Sequence, residues 1–233
     1  MVPEILYISE NAIVIYKPPT MPSQSDLSGG EDALTLTARI LRDMGEREDL
    51  YLINRLDRVV GGLMIFARNK TYAKKLSEIL SEDSFSKEYF AVSDGVLEDG
   101  ELVDWLIKDS VLGKGIVCDE SHPGAKKAIL NLATLETVEH KGKKKSLVYV
   151  KLKTGRFHQI RAQLSSRGAS LVGDKKYGNR DFLCRNPALF AFRLLACVEQ
   201  EKIKVQRLPD VDKYPWNLFS VSKYKEKMEI DND

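Results

Sequence analysis

Residues Leu63 to Ala67 form an unbroken apolar run, Leu-Met-Ile-Phe-Ala, of strand length and directly preceded by Gly61-Gly62. A run this short, bounded by turn residues and lacking polar alternation, reads as a strand covered on both faces. Leu50 to Asn54 is a second apolar run of strand length, and the polar stretch Arg55 to Gly62 reads as a loop between two core strands. The chain must therefore build a sheet with a buried centre.

The flanking patterns fill in the elements. Glu4 to Ser9 and Ala12 to Tyr16 read as a hairpin around Glu10-Asn11, and Pro18-Pro19 stops regular structure. Asp32 to Met44 and Lys70 to Leu80 carry apolar residues at three- and four-residue spacings, predicting amphipathic helices, with Gly45 ending the first. After Phe85 the pattern turns to strands: Glu88 to Ser93, Ile116 to Asp119, Ala128 to Val138 and Ser146 to Leu152, with Lys141 to Lys145 as a basic turn. A short helix is expected over His158 to Ser165, closing strands over Leu189 to Val198 and Ile203 to Val205, and an irregular segment around Pro209, Pro215 and Trp216. No repeat or linker divides the chain, so the expectation is one α+β domain around a mixed or antiparallel sheet.

Composition excludes several classes of function. The 43% hydrophobic and 30% charged residues are those of a folded soluble protein, and no apolar run approaches the roughly 18 residues of a membrane span. Cys118, Cys184 and Cys197 are odd in number and far apart, which points to a reducing cytosol; with only His122, His140 and His158 available, no metal is expected. The net charge of +2 hides an uneven distribution: residues 1–50 carry 4 Lys/Arg against 9 Asp/Glu, whereas residues 151–180 carry 8 Lys/Arg against Asp174 alone. A basic zone on a near-neutral chain fits a local polyanion site or a solvated charged face.

Three segments can carry chemistry. In Asn54-Arg55-Leu56-Asp57-Arg58, an aspartate between two arginines can stay ionised and serve as nucleophile or base, or it can belong to a surface salt-bridge cluster. In Lys87-Glu88-Tyr89-Phe90-Ala91-Val92, strand alternation puts Lys87, Tyr89 and Ala91 on one face; the tyrosine can stack on a base or pack in the core. In Lys153-Thr154-Gly155-Arg156-Phe157-His158-Gln159-Ile160-Arg161, His158 and Arg161 share a helix face at a helix start, a site for anions or a charged helix laid on a sheet. Lys175-Lys176-Tyr177-Gly178 follows a turn at Gly173-Asp174.

In this order and at these spacings the segments resemble the RluA-type pseudouridine synthases. The resemblance rests on Tyr16-Lys17-Pro18, Arg55-Leu56-Asp57 with Gly62-Leu63, Lys87-Glu88-Tyr89, Thr154-Gly155-Arg156 with His158-Gln159-Ile160-Arg161, and Gly173-Asp174 with Tyr177-Gly178, and spans residues 4–218. It implies a stand-alone catalytic domain without an S4 domain, built on a long bent, mostly antiparallel sheet flanked by helices and loops; beyond it, the alternating charges of Lys223 to Asp233 read as a tail, with residues 219–233 expected as that charged tail. It implies an isomerase, an intramolecular transferase that turns uridine of ribosomal or transfer RNA into pseudouridine by base flipping, without cofactor or metal. Asp57 matches the family's essential aspartate, Tyr89 the residue against the flipped uracil, Arg161 the base-side arginine paired with that aspartate, and Arg55 the arginine that assists flipping. Arg58, Lys87, Arg156, His158, Lys175 and Lys176 are the remaining expected RNA contacts.

The chain departs from the family at Asn54, where histidine is usual, at Val60-Gly61-Gly62, where a Thr-Ser-Gly-like turn is usual, and at Phe190-Ala191, where His-Ala is common. The altered catalytic loop motivates an alternative, an inactive RNA-binding or RNA-chaperone protein of the same fold. A glycosidase-like carboxylate hydrolase would need a second acid about 5 to 10 Å from Asp57, which no paired-carboxylate motif marks. The expectation is a cytoplasmic monomer.

Overall fold

A computed structural model of the chain describes residues 2–25, 30–178 and 181–224. Those residues form eleven strands and three α-helices, an α+β fold in which every ladder with an assigned register is antiparallel. The catalytic domain expected from the sequence folds as two compact units, Met1–Lys87 with Ala191–Arg207, and Glu88–Phe190 with Leu208–Asp233.

The first unit is organised around β4 (Gly61–Ala67), all seven residues of which are buried, as an uninterrupted apolar run requires. β2 (Ala12–Lys17) pairs with it from Ala12 opposite Ala67 to Lys17 opposite Gly62, and β1 (Glu4–Ile8) pairs with β2. β3 is only Tyr51–Leu52, shorter than the apolar run there, and β10 (Leu189–Val198) pairs with β11 (Glu201–Gln206). Two helices begin where side chains can replace missing helical acceptors: Asp32 accepts from the Thr35 amide before α1 (Ala33–Asp43), and Asn69 from the Tyr72 amide before α2 (Lys70–Glu78). Tyr72 and Leu76 of α2 pack into a core with Val14, Ile65, Phe85 and Leu194.

The second unit has the strand order β5 (Phe85–Asp94), β9 (Lys143–Leu152), β8 (Lys126–His140), β6 (Gly100–Asp109), β7 (Lys114–Cys118). β5 (Phe85–Asp94) is buried on both faces over residues 88–93. β6 (Gly100–Asp109) was not expected as a strand; it pairs with β8 (Lys126–His140) and with β7 (Lys114–Cys118). β8 and β9 (Lys143–Leu152) meet at a two-residue turn in which Lys141 and Gly142 both have positive φ, 53° and 71°, as the right-handed twist of a tight hairpin favours. The basic turn read over Lys141 to Lys145 is thus corrected. Lys143 to Lys145 belong to the strand, and the Lys145 ammonium is buried against Asp94 at 2.5 Å.

α3 (Gln159–Ser166) lays Ala162 on Leu106 and Ala128. The charged tail expected from residue 219 starts too early. Phe219 and Val221 are buried, and the segment is tied to β8 by the Ser220 amide, which donates to Glu136 at 2.9 Å, and the Tyr224 hydroxyl, which donates to the Leu135 carbonyl at 2.8 Å. The rest of that expected tail, 225–233, lies outside the described residues. Among the described residues no helix is long and apolar enough to cross a membrane.

Candidate functional site

In the first unit, the loop between β3 and β4 carries Arg55, Asp57 and Arg58, and side chains fix it where the main-chain ladder runs out. Asn54 Oδ1 accepts the Ile65 amide at 2.8 Å, standing in for a ladder carbonyl. Ser23 brackets Leu56, accepting from its amide at 3.1 Å and donating to its carbonyl at 2.7 Å. The Asp57 carbonyl accepts the Val60 amide at 2.9 Å, closing a turn that leaves the Asp57 side chain half-buried between exposed Arg55 and Arg58. Arg58 Nε reaches the Thr20 carbonyl at 3.1 Å, and Thr20, with φ of 74°, takes a backbone conformation that β-branched residues rarely adopt. Gly62, with φ of 133°, has no alternative: an added Cβ would stand 2.5 Å from the Ala191 backbone.

Under this loop lies Lys17, fully buried at the end of β2. Its ammonium donates to the carbonyls of Met21 at 2.8 Å, Pro18 at 3.1 Å and Arg58 at 3.4 Å. Burial pulls its pKa down to about 7, while the negative charge of Asp57 opposes that fall. A buried cation tied to the neighbour of Asp57 and coupled to its carboxylate is part of this site. The sequence reading quoted Lys17 in a motif without giving it a role; its signal was a lysine on the same strand face as Ile13 and Ile15. Lys87, expected to contact RNA, is half-buried with its ammonium 5.5 Å from the Phe85 ring centre, and burial lowers its pKa.

In the second unit, Arg161 on α3 is buried, and its Nε and Nη2 grip both oxygens of fully buried Asp174 at 2.7 and 2.8 Å. The guanidinium also lies 5.0 Å from the Tyr177 ring centre. Two parallel charge-assisted bonds fix a guanidinium plane as no single bond can. Gly173 lets the Asp174 turn pack tightly, since a Cβ there would fall 2.5 Å from the carbonyls of Cys184 and Asn186. Asp174 was quoted in the sequence as a turn residue; its service to Arg161 was missed.

Tyr89 is 5% exposed on β5, in the company of Phe90 and Ala91. His158 is also buried. It takes the left-handed conformation before α3, stacks on Phe157 with ring centres 3.9 Å apart, and its Nδ1 meets the Tyr177 hydroxyl at 3.0 Å. The ring therefore ties the start of α3 to Tyr177. Gln159 pins the preceding loop, its Oε1 accepting from the Thr154 hydroxyl at 2.8 Å and the Arg156 amide at 3.0 Å. Arg156, Lys175 and Lys176 are exposed.

Chemically, the first unit presents a half-buried carboxylate on a rigid loop, able to act as nucleophile or base. The second presents an oriented guanidinium and a basic surface. Among the described residues no group of three or more His, Cys, Asp or Glu is placed to hold a metal ion.

Comparison with known proteins adds an independent line. A family model described as RNA pseudouridylate synthase matches residues 11–166. The chain is 32% identical over 185 residues to the tRNA pseudouridine synthase C of Haemophilus ducreyi, covering 76% of this chain and 74% of that one. It is 27% identical over 199 residues to the ribosomal large subunit pseudouridine synthase C of Rickettsia conorii, covering 84% of this chain and 63% of that one. In fold it is similar to the human RNA pseudouridylate synthase domain containing 1, with a TM-score of 0.72 at 23% identity, covering 97% and 94% of the two chains.

Proposed function

The chain belongs to the RNA pseudouridylate synthase family, isomerases that convert uridine to pseudouridine in RNA, and from that premise we propose that it modifies uridines of ribosomal or transfer RNA with Asp57 as the catalytic carboxylate. The observation that carries this reading is the Asp57 loop itself, whose backbone is held by Ser23, Asn54 and Lys17 while its carboxylate stays half-exposed within the matched segment.

A uridine within a stacked helix cannot present its glycosidic carbon to a carboxylate, so the nucleotide must be flipped out, with exposed Arg55 assisting. Asp57 then attacks C1′ or removes the C2′ proton, and the bond from C1′ to N1 breaks. The uracil turns and C5 bonds to C1′ as the Asp57–C1′ bond breaks, or as the abstracted proton returns to C2′; the C5 hydrogen then leaves as a proton while N1 gains one. Tyr89 lies against the base and serves the C5 proton, and Arg161, its plane set by Asp174, is the base-side arginine. Exposed Arg58, Arg156 and Lys175 contact phosphates.

The test is tritium release from RNA labelled at uridine C5, because bonding C5 to ribose must expel that atom. Release by the wild type and none by Asp57→Ala is the expected result. Equal release from both proteins would remove Asp57 from the mechanism.

A further inference from the structure

The hairpin joining β6 to β7 ends in the turn Ser110-Val111-Leu112-Gly113, and its tip is apolar and open to solvent: Val111 is 95% exposed and Leu112 57%. Single exposed apolar residues are common on protein surfaces, but two at the end of a stiffened turn are not explained by that. The stiffening is specific. Asp109 Oδ1 accepts the amides of both Val111 and Leu112 at 2.8 Å, Gly113 supplies a positive φ of 58°, and the Lys176 ammonium donates to the Gly113 carbonyl at 2.8 Å.

At its base the hairpin is clamped by Tyr177 and His158, the second of which the sequence assigned to RNA. The Tyr177 hydroxyl accepts the Gly115 amide at 2.6 Å and lies 3.0 Å from both the Gly115 carbonyl and His158 Nδ1. If the phenol gives its one proton to the carbonyl, His158 Nδ1 is the donor to the phenol oxygen. Gly115 permits the contact, because a Cβ there would sit 2.4 Å from the Phe157 carbonyl. Lys108 and Lys114, on either side of the turn, place their ammonium groups 5.0 Å from the Phe157 ring centre and 5.4 Å from the Tyr177 ring centre.

We infer that the Val111-Leu112 tip is an RNA-gripping wedge that packs on the face of an unpaired or bulged base while Lys108 and Lys114 hold the adjoining phosphates. This rests on the synthase reading and deepens it, adding a contact outside the residues assigned there to chemistry. The argument for RNA as occupant is charge complementarity: an apolar prong ringed by cations fits a base face bordered by phosphates. Apolar side chains inserted at a base step are an established way for a protein to hold a deformed nucleic acid. His158, Tyr177 and Lys176 then act as positioning residues, because they hold the hairpin.

The test uses filter binding of two RNA probes, a stem-loop with an unpaired uridine-containing loop and a fully paired duplex of equal length. The Val111→Ser/Leu112→Ser double variant should bind the stem-loop about tenfold more weakly, the loss of one apolar contact to a base. Its duplex affinity, its melting temperature and the salt dependence of binding should match the wild type, since no phosphate contact and no buried group is removed. Leu112→Trp should show indole quenching on addition of the stem-loop and none with the duplex. Stem-loop affinity within twofold of wild type, an equal loss for both probes, or a change in self-association with RNA affinity intact would each overturn the wedge. The readout is binding, so a wild-type protein that makes no pseudouridine yet needs the tip for stem-loop affinity would sink the synthase reading and keep this one.

Discussion

Asp174 offers the sharpest energetic test of how the second unit presents Arg161. The two side chains are 0% and 4% exposed, and the carboxylate accepts two guanidinium bonds of 2.7 and 2.8 Å. Asp174→Ala takes both of those charge-assisted bonds from a buried guanidinium, which costs about 3–5 kcal/mol. The Tyr177 ring at 5.0 Å cannot offset that loss, because it already faces Arg161 in the intact protein. The Lys176 amide, bonded to Asp174 Oδ1 at 3.1 Å, belongs to an exposed residue, so water can replace that bond at little cost. Against a typical stability of about 5–15 kcal/mol the change is severe. The assay is urea unfolding of wild type, Asp174→Ala, Arg161→Met and the Asp174→Leu/Arg161→Met double variant. Removing both charges should restore most of the loss, since a buried ion pair is worth little more than well-packed apolar groups. A loss under about 1 kcal/mol for Asp174→Ala, or a double variant as unstable as the two single losses summed, would refute the reasoning.

Three further outcomes follow from the first unit. Lys17 has a folded pKa of about 7, below that of the unfolded chain, so its penalty is full below pH 7 and is relieved as pH rises toward the unfolded value near 10; the melting temperature of the wild type relative to Lys17→Met should therefore rise between pH 6.5 and 9.5, and a constant difference would contradict the burial argument. Burial alone would raise the Glu201 carboxyl, but hydrogen bonds from Ser9 at 2.6 Å, Tyr7 at 2.9 Å and Asn11 at 3.3 Å outweigh it and hold its pKa below the usual range. Its stabilisation is present above the unfolded pKa near 4 and lost as pH falls through the lower folded value, so Glu201→Gln should flatten acid unfolding, measured by circular dichroism from pH 5 to 2. Gly62→Ala forces a Cβ to within 2.5 Å of the Ala191 backbone at a φ of 133° and should cost about 1–3 kcal/mol in urea unfolding, whereas Gly45→Ala, with nothing within 4 Å, meets only backbone strain and should cost less.

Local signals were legible and long-range ones were not. Apolar spacings marked both early helices, and the apolar run at Leu63 marked β4, because each signal acts within a few residues. β6 escaped notice: Leu106 alone among its ten residues is buried, so the strand carries almost no apolar alternation, and its place is fixed by β7 and β8. Lys145 read as a solvated turn residue because its partner, Asp94, lies 51 positions away. The same distance effect hid Asp174, 13 positions on, from Arg161 and the Arg58 carbonyl, 41 positions on, from Lys17. The contact of His158 with the Tyr177 hydroxyl, 19 positions on, was hidden in the same way.

The central claim is that the carboxylate of Asp57 performs the isomerisation, and Asp57→Asn tests it with the least disturbance, since the amide keeps the side chain's size on a loop held by its backbone. Unmodified ribosomal and transfer RNA transcripts should be incubated with wild type and variant, digested to nucleosides and separated by liquid chromatography. The account predicts pseudouridine from the wild type, none above background from Asp57→Asn, and RNA affinity within a few-fold for both. Pseudouridine formed by Asp57→Asn at a rate near that of the wild type would contradict it.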